Sequence, residues 1–127
     1  MKELETLVRD LIRAWREGRY EDLERFFHPD AVLLPPEGAP IVGRAPLVES
    51  YREFDSVAVV HEFTAHEVIA HAFGGTAVAH MRFGIDYEID GGRSRESGIE
   101  VYAIDTSGSE PLVVWRTQIP SGDGRVR

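Results

Sequence analysis

The sequence has no cysteine, which removes disulfides, thiolate metal sites and a cysteine nucleophile, although it fits either redox compartment. It has no apolar run near the ~20 residues needed to cross a bilayer. The N-terminal segment reads as an amphipathic helix without a signal-peptide core, so the expected compartment is the cytoplasm. Lysine is nearly absent: Lys2 stands alone among 14 basic residues, and the arginines are spread along the chain without clustering. The 22 acidic residues give a net charge of −8. That balance repels phosphate backbones and anionic headgroups and argues against nucleic acid and membrane partners. There is no G-x-S-x-G elbow, no P-loop and no G-x-G-x-x-G after a strand, so no organic cofactor is expected.

What is present suits one core: 127 residues, 43% of them hydrophobic, are expected to form a single domain over 1–120 with a frayed tail over 121–127. Leu4, Leu7, Val8, Leu11, Ile12 and Trp15 recur at helical spacing, predicting an amphipathic helix from Lys2 to Glu17 that stops at Gly18. A short helix from Tyr20 to Phe27 is broken by His28-Pro29-Asp30. A first strand, 31–34, and a Pro/Gly-rich loop lead to a third helix over 45–54 with Pro46 in its first turn. Beyond Asp55 the pattern becomes extended, with glycine-marked turns separating strands at about 57–73, 76–90, 93–105 and 111–120. Helices first and consecutive strands afterwards predict an α+β fold, with three helices backing a curved antiparallel sheet.

Taking Gly91-Gly92 as a two-residue hairpin loop pairs Asp90 with Arg93. Phe83 then faces Glu100, Met81 faces Tyr102 and Glu88 faces Arg95, the last as a cross-strand ion pair. This register places Glu100 on the helix-facing side among Met81, Phe83 and Tyr102. On the opposite face Val78, Ile99, Val101 and Ala103 form an apolar strip, from which a homodimer is expected.

Several local signatures, in this order, resemble the NTF2-like superfamily, in particular its SnoaL-like and ketosteroid-isomerase-like branch. They are Trp15-Arg16-Glu17-Gly18, then Phe27-His28-Pro29-Asp30-Ala31-Val32-Leu33, then Ile41-Val42-Gly43-Arg44 ahead of a helix that reaches Tyr51. The resemblance covers nearly the whole chain and implies a cone-shaped sheet around a pocket, with dimerisation through the outer sheet face. Function does not follow from it, because such folds carry isomerases, hydrolases, cyclases and proteins that only bind. Where ketosteroid isomerase keeps its aspartate base this chain has Pro35, and where that enzyme keeps its oxyanion-hole tyrosine this chain has Leu11. Only the enzyme's second acid has a counterpart, Glu100. Steroid isomerisation by that mechanism is therefore not expected.

Glu100 is the most informative residue, since an ionised carboxylate facing apolar side chains is costly unless an arginine or several donors compensate. If none did, Glu100→Gln would leave stability unchanged or raise it. Glu100 and Tyr102 are the catalytic candidates, as an acid or base and its neighbour. Trp15, Phe27, Tyr51, Phe54, Met81, Phe83, Tyr87 and Trp115 are candidates to line a pocket for a small apolar molecule, although their spacing predicts core equally well. His61 and His66 lie five apart in a strand and point to opposite sides, so no metal site is expected. One of the two could face the pocket as a proton carrier. The leading reading is a small-molecule pocket protein, working without metal or cofactor by acid-base chemistry on an apolar carbonyl compound. The alternative is a ligand-binding or accessory dimer without turnover.

Overall fold

A computed structural model describes residues 2–121; the expected tail beyond Ser121 lies outside the described residues. Helix α1 (Lys2–Arg16) turns Leu4, Val8, Leu11, Ala14 and Trp15 inward, the i, i+4, i+7 stripe of an amphipathic helix. Gly18 has a φ of 72°, a left-handed conformation that ends the helix at little steric cost. The short α2 (Tyr20–Leu23) tightens into a 3₁₀ turn, Glu24–Phe26. Strand β1 (Phe27–Leu34) starts four residues earlier than the sequence suggests, with His28 and Pro29 inside it. Proline is tolerated there because extended backbone suits both it and the residue before it. After the two-residue β2 (Ile41–Val42) comes α3 (Arg44–Val57), burying Leu47, Val48 and Tyr51.

The expected strand 57–73 is two strands, β3 (Ala58–Ala65) and β4 (Ile69–Phe73). The chain leaves extended pairing between them and tucks Val68 into the core at 2% exposure. Both pair with the long β5 (Thr76–Ile89), which is followed by β6 (Gly92–Asp105) and β7 (Leu112–Pro120). The sheet order is β2-β1-β7-β6-β5-β3, with β4 also on β5. The sheet is mixed rather than antiparallel throughout, because β1 runs parallel to β7. Long chain separates those two strands, so no hairpin dictates their relative direction.

The hairpin turn is Asp90-Gly91, not Gly91-Gly92. Ile89 pairs with Gly92, and Asp90 and Gly91 have φ of 52° and 82°. Positive φ at both central residues is what a twisted two-residue hairpin demands. The register therefore differs by two residues from the expected one: Met81 faces Glu100, Phe83 faces Gly98 and Glu88 faces Arg93. A shift of two preserves every side-chain face, so Glu100 still points to the helices. The expected Glu88–Arg95 ion pair does not form. Arg93 and Arg95 both bind Asp86, while Glu88 Oε1 accepts from His61 Nε2 at 3.0 Å.

The helices cover the inner face of the sheet. There Phe27, Leu11, Leu23, Leu47, Tyr102 and Ile104, all at most 1% exposed, form the core, each fully buried aliphatic or phenyl side chain contributing about 1.5–3 kcal/mol.

Candidate functional site

One side of the core is not filled. A cavity of about 270 Å³ lies between α1, α3 and the inner sheet face, walled by Trp15, Leu33, Phe54, Phe63, Phe83 and Ile85. Its polar groups are Tyr51, Glu100, Arg116 and Gln118, with Ser50, Tyr87 and Glu96 completing the lining.

The polar floor is assembled by strand register. Glu100 pairs with Gln118 across β6 and β7, and Tyr102 pairs with Arg116, so the four side chains converge on one face. Tyr102 donates its hydroxyl to Glu100 Oε1 at 2.5 Å, while Arg116 Nη2 and Gln118 Nε2 each donate to Oε2 at 2.7 Å. Glu100 is 2% exposed and is the one charged side chain fully buried among the described residues. Both kinds of compensation, an arginine and further donors, are thus present. The Arg116 guanidinium also sits 5.3 Å from the Tyr51 ring centre and 6.0 Å from that of Tyr102, within cation–π reach. Burial, the largest single influence, would lower the Arg116 pKa, but Glu100 together with Tyr51 and Tyr102 more than offsets it and the pKa is raised well above its ordinary value. Among the described residues two buried side-chain polar atoms have no hydrogen-bond partner: the Tyr51 hydroxyl and Arg116 Nε. An unsatisfied buried donor is costly, and Tyr51 belongs to the cavity wall.

Six of the residues singled out in the sequence come together at the cavity: Trp15, Tyr51, Phe54, Phe83, Tyr87 and Glu100. Phe27, Met81 and Tyr102 are buried in the core and do not line it. Trp115 is placed on the opposite face, 39% exposed, and the reason is a β-bulge. Ile104 pairs with Val113 but Ala103 pairs with Trp115, so Val114 is an extra residue and alternation reverses beyond it. The same bulge turns Arg116 and Gln118 inward, which an apolar reading of Val113-Val114-Trp115 conceals. A second irregularity lies between Val60 and Glu62. It leaves His61 outside the ladder and aims Phe63 into the cavity. His61 and His66 are both exposed, and neither lines the cavity. Among the described residues no three His, Asp or Glu side chains converge as metal ligands, and no helix is long and apolar enough to cross a membrane.

Trp15 is held from behind. Its indole Nε1 donates to Asp55 Oδ1 at 3.0 Å, and the Tyr20 hydroxyl donates to Oδ2 of the same carboxylate, tying α1, α2 and α3 together at the cavity edge.

All four tyrosines resist ionisation. Burial pushes Tyr51 up to about 12 against the opposing charge of Arg116, with a smaller push from Glu100. Burial and Asp55 do the same for Tyr20. Tyr87 is raised by burial and its bond to Glu96, and Tyr102 is raised well above the ordinary value by burial and Glu100. Unfolded phenols ionise near 10, so above that pH the unfolded chain releases protons that the folded chain retains, and stability falls as pH rises from 10 through about 12. Absorbance near 295 nm is expected to rise together with loss of circular dichroism. A phenolate signal near pH 10 in folded protein would contradict this.

A helix-backed curved mixed sheet with an apolar inner pocket defines an NTF2-like protein of the cystatin-like α+β class. Within it, the chain belongs to the SnoaL-like domain family, whose profile matches residues 8–109. No curated protein matches the sequence. Among solved structures it is similar to a ketosteroid isomerase-like protein from Erwinia carotovora atroseptica (TM-score 0.78, 14% identity, 94% of this chain and 95% of that one). It is similar also to an NTF2-like protein with a cystatin-like fold from Novosphingobium aromaticivorans (0.74, 16%, 98% and 85%). A third is the β subunit of benzoate 1,2-dioxygenase from Burkholderia mallei (0.75, 15%, 100% and 94%). At these identities the likeness carries the fold alone.

Proposed function

We propose that the chain binds a small, largely apolar carbonyl compound in this cavity. The observation that carries the reading is the Tyr51 hydroxyl, buried in the cavity wall without a partner. With its proton held up to about pH 12, it offers a donor to a ligand oxygen. The Arg116–Glu100 pair leaves the floor without net charge, which suits an uncharged acceptor, and the aromatic walls suit a flat ring. Glu100 belongs to the floor, and Tyr102 holds it from the core behind. Because both Glu100 oxygens already accept hydrogen bonds, its role in this reading is to fix donors rather than carry a proton, which favours binding over turnover. The range of its structural relatives, from an isomerase-like protein to an oxygenase subunit, accommodates either.

The test compares 4-methylacetophenone with 4-isopropyltoluene, a near-isostere lacking the carbonyl, by calorimetry. The ketone is expected to bind about 5–10-fold tighter, the net worth of one hydrogen bond, and Tyr51→Phe is expected to erase that margin while sparing the hydrocarbon. Equal affinity of both compounds for both proteins would refute the role of Tyr51.

A homodimer through the outer sheet face belongs to the same proposal. Trp115 and Ile119, 39% and 54% exposed, pair with Ala103 and Ile99 and so extend the half-buried strip of Val78, Ile99, Val101 and Ala103. Val101→Asp would place a charge in that face, at a cost of several kcal/mol if it is an interface. Light scattering is expected to show a dimer for the wild type and monomer or insoluble protein for the variant; a monomeric wild type would overturn the assembly.

A further inference from the structure

The carboxylates of the β5–β6 hairpin and floor differ in one respect. Asp86 binds Arg93 and Arg95, Glu88 meets His61, and Glu100 binds Arg116. Glu96 has no such cation among the described residues. It is exposed, and its one hydrogen bond is from the Tyr87 hydroxyl to Oε2 at 2.7 Å. Alternation along β6 explains this. Glu96 shares the inner face with Glu100, whereas Arg93 and Arg95 project to the other face, where Asp86 takes both.

Glu96 stands at the rim, where the cavity opens into a groove of about 430 Å³ lined by Pro36, Glu37, Ser97, Gln118 and Pro120. Glu37 adds a second negative charge there, and among the described residues no arginine or lysine lines the groove. Beside Glu96 the rings of Phe54 and Tyr87 meet edge to face at 5.5 Å between centres. An unneutralised carboxylate next to two aromatic rings is a setting for an organic ammonium group, which gains from the carboxylate and from the ring faces together. Inside, the partnerless Tyr51 hydroxyl, on a residue 8% exposed, marks the other end of the ligand. Glu96 and Glu100 are four residues apart on one strand, roughly 13 Å by strand rise, a span that an aryl ring with a substituent at each end can bridge.

We propose that the cavity selects amine-bearing aryl carbonyl compounds, the carbonyl oxygen inward on Tyr51 and the ammonium outward on Glu96. This rests on the pocket reading above and adds the charge of the ligand. Three probes share the aryl ketone and differ only at the para position: 4-(aminomethyl)acetophenone, 4-methylacetophenone and 4-acetylbenzoate. At neutral pH the amine is expected to bind about tenfold tighter than the methyl compound, the carboxylate weakest. The advantage is expected to shrink with added salt. In Glu96→Gln, whose fold is checked by circular dichroism, amine and methyl compounds are expected to bind alike. If all three bind wild type equally, if the carboxylate binds best, or if the amine keeps its advantage in the variant, the ammonium site is wrong while the pocket stands. If none binds, the pocket reading itself fails.

Discussion

Glu100→Gln is expected to destabilise the fold by about 3–5 kcal/mol, the cost of leaving one partner of a buried ion pair without the other. The side chains of Arg116 and Glu100 are 12% and 2% exposed. The amide has one acceptor oxygen where Tyr102 and Gln118 bond to different carboxylate oxygens, and it cannot balance the guanidinium, whose raised pKa owes more to the charge of Glu100 than to any other neighbour. The expectation drawn from sequence, unchanged or improved stability, held only if no cation compensated. Arg116→Met is expected to be destabilising as well. The double variant Glu100→Gln/Arg116→Met is expected to recover much of the loss, because removing both charges avoids the stranded one. Urea denaturation of the four proteins measures this. A loss below about 0.5 kcal/mol for Glu100→Gln would mean that the guanidinium finds water.

Gly98→Ala is expected to be the most damaging single-carbon change in the sheet. A Cβ at Gly98 would lie 2.3 Å from the Ile119 carbonyl oxygen and 3.0 Å from Pro120 Cα. Both are backbone atoms, so the end of β7 must lift. Overpacking of this kind costs about 1–3 kcal/mol or more, and here it moves the strand that carries Gln118 into the floor. Gly84→Ala is the control: its nearest atom, the Glu96 carbonyl oxygen, is 4.0 Å away, and a gentle effect is expected. Thermal melts showing equal Tm changes for the two variants would contradict the close approach at Gly98.

The two periodicities made much of this structure legible. The i, i+4 stripe of α1, the inward set of α3 and the inner face of β5 were readable because side-chain direction follows directly from helical or strand spacing. Glu100 was placed correctly although the hairpin turn was misassigned by one residue on each strand, since that error shifts register by two and leaves parity intact. Its partners were not legible. Arg116 and Gln118 come from a strand whose alternation is reversed by Val114, and nothing in Leu112-Val113-Val114-Trp115 marks which residue is extra. Phe63 was hidden for the same reason behind the irregularity at His61. Tyr51 was visible as an inward aromatic on α3, but its lack of a hydrogen-bond partner depends on what every neighbouring element presents to it, which no local pattern contains.

The cavity is proposed as a ligand site in which Tyr51 reads the carbonyl oxygen. A crystal structure of the protein soaked with 4-methylacetophenone tests it most directly. The ring is expected among Trp15, Phe54, Phe63 and Phe83, with the carbonyl oxygen about 2.8 Å from the Tyr51 hydroxyl and Glu100 still bound to Arg116. A cavity closed by its own side chains, or the ketone bound elsewhere with Tyr51 unmet, would contradict it.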